Sequence, residues 1–177
     1  LMLVRSGIIS EATYFKLLGK TVGSVLRGTG RTKQSIAESS FDAWSKYYRQ
    51  DENAPNAIIS YYTKGSLVGL ALDLTIRART GGAKSLDDIM LALWDRYGRN
   101  FYKGGARGVS EQDVESLFDE VSGVRLKTIF DRYIRGTEDI PLAKLYAPFG
   151  VKVTEERKNA KPSLDAGIGR DAAGVKL

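Results

Sequence analysis

The stretch NAIISYYTKGSLVGLALDL, residues 56–74, decides the fold. Within it and just beyond, Ile58, Tyr62, Gly65, Gly69, Leu72 and Ile76 follow one another at alternating steps of four and three. That rhythm puts them on one face of an α-helix over about residues 57–80. Val68, Leu70, Ala71 and Leu74 make most of the remaining circumference apolar, and a helix apolar nearly all round belongs at the centre of its domain. Its start does not fit that description, because two tyrosines, a lysine and a glycine follow in quick succession. Each helical glycine costs roughly 1 kcal/mol relative to alanine. Gly65 and Gly69 therefore predict that another backbone, or a substrate, comes close to the Tyr62 face.

Upstream, Ser10 caps EATYFKLLGKTVGSVLRG, whose Tyr14, Leu17, Leu18, Val22, Val25 and Leu26 form one stripe before Gly28 and Gly30 end the helix. Leu1, Val4 and Ile8 ahead of it read as the end of a helix begun earlier. The connector RTKQSIAESSFDAWSKYYRQDENAPN reads as short helical turns packed by Phe41, Trp44, Tyr47 and Tyr48. Downstream, Ser85 and Asp88 have capping-box spacing ahead of LDDIMLALWDRYG, and Ser110 caps EQDVESLFDEV, which Gly123 ends. LKTIFDRYIRG then runs to Gly136, and Pro141 opens a last turn through LAKLYAPFG. The expected fold is an all-α helical bundle over residues 1–150. From Val151 the texture changes. VKVTEE alternates as a strand does, and the Gly-, Ala- and Lys-rich remainder cannot build a core, so residues 151–177 read as a short extended and irregular tail. The abrupt apolar opening, LMLVRSGIIS, and the unpunctuated close give the expectation of a piece of a longer protein.

Composition removes whole classes of chemistry. The 177 residues contain neither Cys nor His, so disulfides, thiolate nucleophiles, Ser–His triads and His-based zinc sites are excluded within this chain. The compartment stays undetermined. No apolar run approaches the ~20 residues of a membrane span. The net charge is +6, but the longest purely basic run is two residues and cations alternate with carboxylates. That pattern describes a solvated surface, not a nucleic-acid face.

Most motif-like stretches dissolve on inspection. YKGGARG lacks the spacing and terminal Lys-Ser/Thr of a phosphate loop, and GIGRDAAG is followed by no helix long enough for a dinucleotide site. Asp87/Asp88 and Asp119/Glu120 are sequence neighbours, diverge by about 100° on a helix, and fit helix-end electrostatics and a solvated surface. Asp131, Arg132 and Arg135 read as a helix-face ion-pair group. Tyr61, Tyr62 and Lys64 remain. A tyrosine there either hydrogen-bonds a backbone carbonyl within the core or offers its O–H to an oxyanion forming on a scissile carbonyl.

QSIAESSFDAWSKYYRQDENAPNAIISYYTKGSLVGLALDLTIRARTGG, followed by SLDDIMLALWDRYG and FDRYIRGTEDIPL, resembles the catalytic region of the M61 peptidases, the glycyl aminopeptidase family. The resemblance covers roughly residues 1–150. It implies the helical C-terminal subdomain of a thermolysin-like, zinc-dependent gluzincin, with a PDZ domain usually following. Residues 151–177 would then be a linker and the truncated beginning of that PDZ-like domain. The family's HExxH and later Glu ligand would lie upstream, leaving no metal ligand and no bound zinc in this chain, although the full-length enzyme uses zinc. By similarity to the Tyr-x-Lys-Gly element of related aminopeptidases, Tyr62 would be the oxyanion-stabilising residue, with Tyr61, Lys64 and Gly65 in supporting roles. The implied function is hydrolysis of peptides, with preference for an N-terminal Gly or Ala. This chain alone would be inactive, its partners being the peptide, the upstream thermolysin-like subdomain and the PDZ domain. Loss of the upstream subdomain would leave an apolar face and favour self-association. The alternative is a non-catalytic helical interaction module in which Trp44, Tyr48, Tyr61 and Tyr62 are only core.

Overall fold

The computed structural model describes residues 2–104, 107–154, 169–171 and 174–176. In chain order, a single turn, α1 (Met2–Arg5), precedes α2 (Glu11–Arg27). The connector holds two short helices, α3 (Ile36–Phe41) and α4 (Ala54–Ala57). The central helix α5 (Tyr61–Arg79) is followed by α6 (Leu86–Leu93) and α7 (Glu111–Ser122). A turn, α8 (Lys127–Ile129), and α9 (Leu142–Tyr146) complete the helical body, which is all-α as expected.

α5 is apolar on several sides because separate groups of side chains cover it. Val68, Leu72 and Ile76 pack with Ile89 of α6, Leu117 and Phe118 of α7, and Leu126, Phe130 and Tyr133 beyond. Leu67 meets Val25 of α2 and Ile59. Leu74 meets Leu142 and Tyr146 of α9. Ile76 and Ile89 are wholly buried, each contributing about 1.5–3 kcal/mol of transfer free energy. Polar groups tie the same layers together: Asp73, buried on α5, accepts from the Leu86 N–H at 2.8 Å and from Arg77 at 2.8 Å.

The helix begins four residues later than its apolar rhythm indicates. Ile58 is extended, and the Ile59 N–H donates to the Gln34 side chain at 3.1 Å instead of entering the helix. Ser60 is then the N-cap, accepting from the Thr63 N–H. The other expected caps are present: Ser10 on α2, and capping boxes at Ser85–Asp88 and Ser110–Asp113. Gly123 closes α7 at a left-handed φ of 67°. Gly30 does more than end a helix. A Cβ there would sit 2.0 Å from the Ile58 carbonyl oxygen, so the segment before α5 lies directly on its backbone.

One recurrence is evident only with the fold in view. Trp44-Ser45-Lys46-Tyr47, Trp94-Asp95-Arg96-Tyr97 and Phe130-Asp131-Arg132-Tyr133 share an aromatic–polar–basic–Tyr pattern, and each lies in a π-helical turn. Such widened turns are rare and concentrate near functional sites.

Four expectations need correction. Phe41, at the end of α3, is 91% exposed and Trp44, in the π turn that follows, is 82% exposed, so neither is buried in the connector, although the Trp44 ring lies 5.3 Å from that of Tyr48. Arg132 pairs with Glu138, at 3.6 Å, while Arg135 holds Asp131 at 2.6 Å as the i,i+4 spacing required. Residues 151–154 form no strand, and 155–156 lie outside the described residues. Pairing occurs instead between β1 (Gly169–Asp171) and β2 (Gly174–Lys176), antiparallel with Arg170 opposite Val175. Finally, a Cβ on Gly65 or Gly69 would meet nothing within 4 Å. Among the described residues no backbone makes the close approach expected at these glycines, and α5 is open at Gly65 and Gly69, whereas Leu72 and Ile76 farther along the same face are buried. Among the described residues, no helix is long and apolar enough to cross a membrane.

Candidate active site

The N-terminal turn of α5 presents its two tyrosines differently from the rest of the helix. Tyr62 is 60% exposed, although the helix it begins is the centre of the core. Its hydroxyl lies 3.0 Å from the Tyr48 hydroxyl, which is itself 3.3 Å from that of Tyr61. The Tyr61 and Tyr62 rings lie close, with centroids 4.2 Å apart and planes inclined by 31°. Tyr47 meets both edge-on, at 5.4 and 6.2 Å. These contacts join the aromatic pair of the connector, Tyr47-Tyr48, to the pair that opens the helix. Edge-to-face and offset pairs of this kind contribute about 0.5–1.5 kcal/mol each beyond area burial, which holds the exposed ring in place.

The hydroxyl network is separate from the cap. Tyr47 donates to the Ser60 hydroxyl at 3.1 Å, and Ser60 in turn accepts from the Thr63 N–H at 3.2 Å. Tyr62 hydrogen-bonds a phenol and not a backbone carbonyl, so the core-tyrosine alternative does not describe it. Hydrogen bonds from Tyr48 and then Tyr61 hold the Tyr62 phenol below its ordinary value. Tyr61 moves the opposite way, raised first by its bond to Tyr48 and then by Tyr62. Acidity in the cluster is thus shifted onto the most exposed phenol.

Lys64 is turned inward and is 1% exposed. Its Nζ donates to the carbonyls of Arg31, at 3.2 Å, and Thr137, at 3.3 Å. Burial pushes its pKa down; nearby Asp139 opposes that shift and Arg31 adds to it. Arg31 itself pairs with Asp139 at 3.0 Å. The lysine therefore fastens the first turn of α5 to two loops distant in sequence. Gly65, one residue on, faces the open side with Tyr62.

Among the described residues there is no group of three or more His, Cys, Asp or Glu side chains able to hold a metal ion. With no His or Cys anywhere in the sequence, the donors present do not fit a zinc site. Two concavities, of about 430 and 350 Å³, are lined by charged side chains including Glu38, Lys46 and Arg49 in one and Glu115, Lys127 and Arg135 in the other. Neither is lined by Tyr61 or Tyr62. Tyr62 stands exposed, outside both concavities. Tyr48 is the member of this cluster that the sequence did not place with Tyr61 and Tyr62 as a candidate site residue. Its only signal was the echo of one Tyr-Tyr pair, 47–48, by a second at 61–62.

No curated protein matches the chain. Residues 1–68 match the family model of the M61 glycyl aminopeptidase. The chain is also similar to the crystal structure of an aminopeptidase N family protein from Idiomarina loihiensis, with a TM-score of 0.83 and 34% identity over 98% of this chain. It spans only 31% of the length of that relative. The family match runs through the aromatic connector into α5 and the shared fold extends over nearly every residue, and together these findings support the M61 peptidase family for this chain.

Proposed function

We propose that this chain forms one wall of a peptidase active site and that Tyr62 is its catalytic contribution. As a nucleophile adds to a peptide carbonyl, the carbonyl oxygen becomes an oxyanion, and the neutral Tyr62 phenol donates its proton as a hydrogen bond to that oxygen. One such preorganised donor is worth about 2.7–4 kcal/mol of barrier. The carrying observation is that Tyr62 stays exposed at the start of a buried, rigid helix, its hydroxyl held by phenols alone.

The remaining machinery lies outside this chain in this reading. Among the described residues no donor set fits the family's zinc, so its ligands, and the groups that bind the substrate's α-amino end, would come from an upstream thermolysin-like subdomain. Preference for an N-terminal Gly or Ala follows from the family resemblance, and so does a PDZ-like domain beginning within residues 151–177. Tyr61 and Lys64 support the site by packing and by anchoring the turn that carries Tyr62. The chain by itself is inactive. The test is Tyr62→Phe in the full-length protein: kcat falls by roughly 10²–10³ while bound metal stays constant. Unchanged turnover removes Tyr62 from the reaction.

A second reading is favoured by Phe41 and Trp44, whose rings project into solvent. It makes the helical body an interaction module. An active full-length enzyme that depends on Tyr62 argues against it.

A further inference from the structure

Three phenols in series can share their protons in only a few ways. Tyr48 has one proton and two phenolic neighbours, at 3.0 Å (Tyr62) and 3.3 Å (Tyr61). If Tyr62 is to donate outward, its oxygen must accept from Tyr48, and the Tyr48 oxygen is then free to accept from Tyr61. We propose that Tyr48 is a positioning residue for Tyr62, the middle of a directed chain Tyr61→Tyr48→Tyr62 that leaves the Tyr62 proton as the one presented to a carbonyl oxygen on the open face. This rests on the reading of Tyr62 given above.

The surroundings fit a directed chain. Tyr47, the other phenol packed on the pair, sends its proton to Ser60 and so does not compete for either tyrosine. Tyr61 is the less exposed end and Tyr62 the more exposed one. The first donor is thus sheltered and the last is presented. No charged side chain is among the groups that shift Tyr62; Tyr48 and Tyr61 are the groups responsible. The opposite shifts of Tyr61 and Tyr62 are what a donor end and an acceptor end of one chain produce. Donation along a series of hydroxyls also polarises the last O–H, strengthening the hydrogen bond it gives. The connector's π-helical turn, Ala43–Tyr47, is the element that brings Tyr48 over the start of α5.

The test separates this idea from the function of Tyr62. In this chain, with no activity needed, ¹³Cζ-tyrosine NMR follows the Tyr62 phenol, its resonance identified by its loss in Tyr62→Phe. The Tyr48→Phe variant keeps the ring and removes only the hydroxyl. It should raise the Tyr62 titration midpoint toward the ordinary value near 10. Tyr61→Phe should raise it by a smaller step, and Tyr47→Phe should leave it in place. In the full-length enzyme, Tyr48→Phe should lower kcat about tenfold with KM nearly constant and move the alkaline limb of the pH–rate profile upward. A Tyr62 midpoint identical in wild type and Tyr48→Phe overturns the proposal, whatever the activity does. A midpoint that shifts equally in Tyr47→Phe also overturns it, because packing and not the hydroxyl chain would then be responsible. Should Tyr62→Phe leave turnover unchanged while the midpoint shift appears, the hydroxyl chain stands and the proposed function fails.

Discussion

Replacing Lys64 with Met keeps an unbranched stem of similar volume and removes the ammonium. Two hydrogen bonds go with it, to Arg31 O at 3.2 Å and Thr137 O at 3.3 Å. Bonds from a charged donor contribute about 1.5–3 kcal/mol each, a gross loss of about 3–6 kcal/mol. Against that, Met carries no charge into a site where the lysine is only 1% exposed, which recovers part of the cost of burying an ion. The expected net destabilisation is about 2–4 kcal/mol. Urea unfolding at neutral pH should show it as a lower midpoint at unchanged slope. The sign with pH follows from the depressed pKa of Lys64. Between the lowered folded value and the unfolded value near 10.4, the unfolded chain holds more protons. This group therefore makes stability rise with pH across that window, and Lys64→Met should lack the rise. A variant as stable as wild type, or more stable, would refute the view that the ammonium fastens the site's first turn to the loops at 31 and 137.

Acid should loosen two helix starts. The carboxylates of Asp88 and Asp113 accept from the backbone N–H groups of Ser85 and Ser110 and are held below the usual carboxylate range by those bonds. Their contribution is present above the unfolded value near 3.9 and is lost as pH falls through the depressed folded values. Circular dichroism should show helix loss there, and a signal flat from about pH 5 to 2 would count against it. The exposed aromatic edge predicts association: sedimentation of wild-type chain should depend on concentration, and the double variant Phe41→Ser, Trp44→Ser should abolish that dependence. A monomeric wild type at high concentration contradicts the prediction.

Helix existence was legible because the signals were local. The stripe of α5, the Ser caps and the glycine stops at 28 and 123 each depend on residues within one turn, and each is present. The start of α5 was misread because Ile58 and Ile59 continue the apolar rhythm while their backbone is claimed by Gln34 and lies against Gly30. That competition involves segments more than 20 residues apart, invisible to periodicity. Burial of Phe41 and Trp44 was expected because large aromatics usually pack, but Phe41 ends α3, Trp44 stands in the widened turn that follows, and both rings face solvent. The strand pattern of VKVTEE also carried no weight, since alternation by itself supplies no partner strand. At the candidate site, Tyr62 was singled out by the resemblance of its setting to a Tyr-x-Lys-Gly element, whereas the contact of Tyr48 with it became visible only once the connector was seen folded over the helix.

The most direct measurement is the position of the Tyr62 hydroxyl in the full-length protein bound to a phosphinic peptide, whose tetrahedral oxygen mimics the oxyanion. The account predicts an O···O distance of about 2.5–3.0 Å from Tyr62 to that oxygen, with Tyr48 still bonded behind it. A phenol more than about 4 Å away, or one turned toward the helical core, would contradict it.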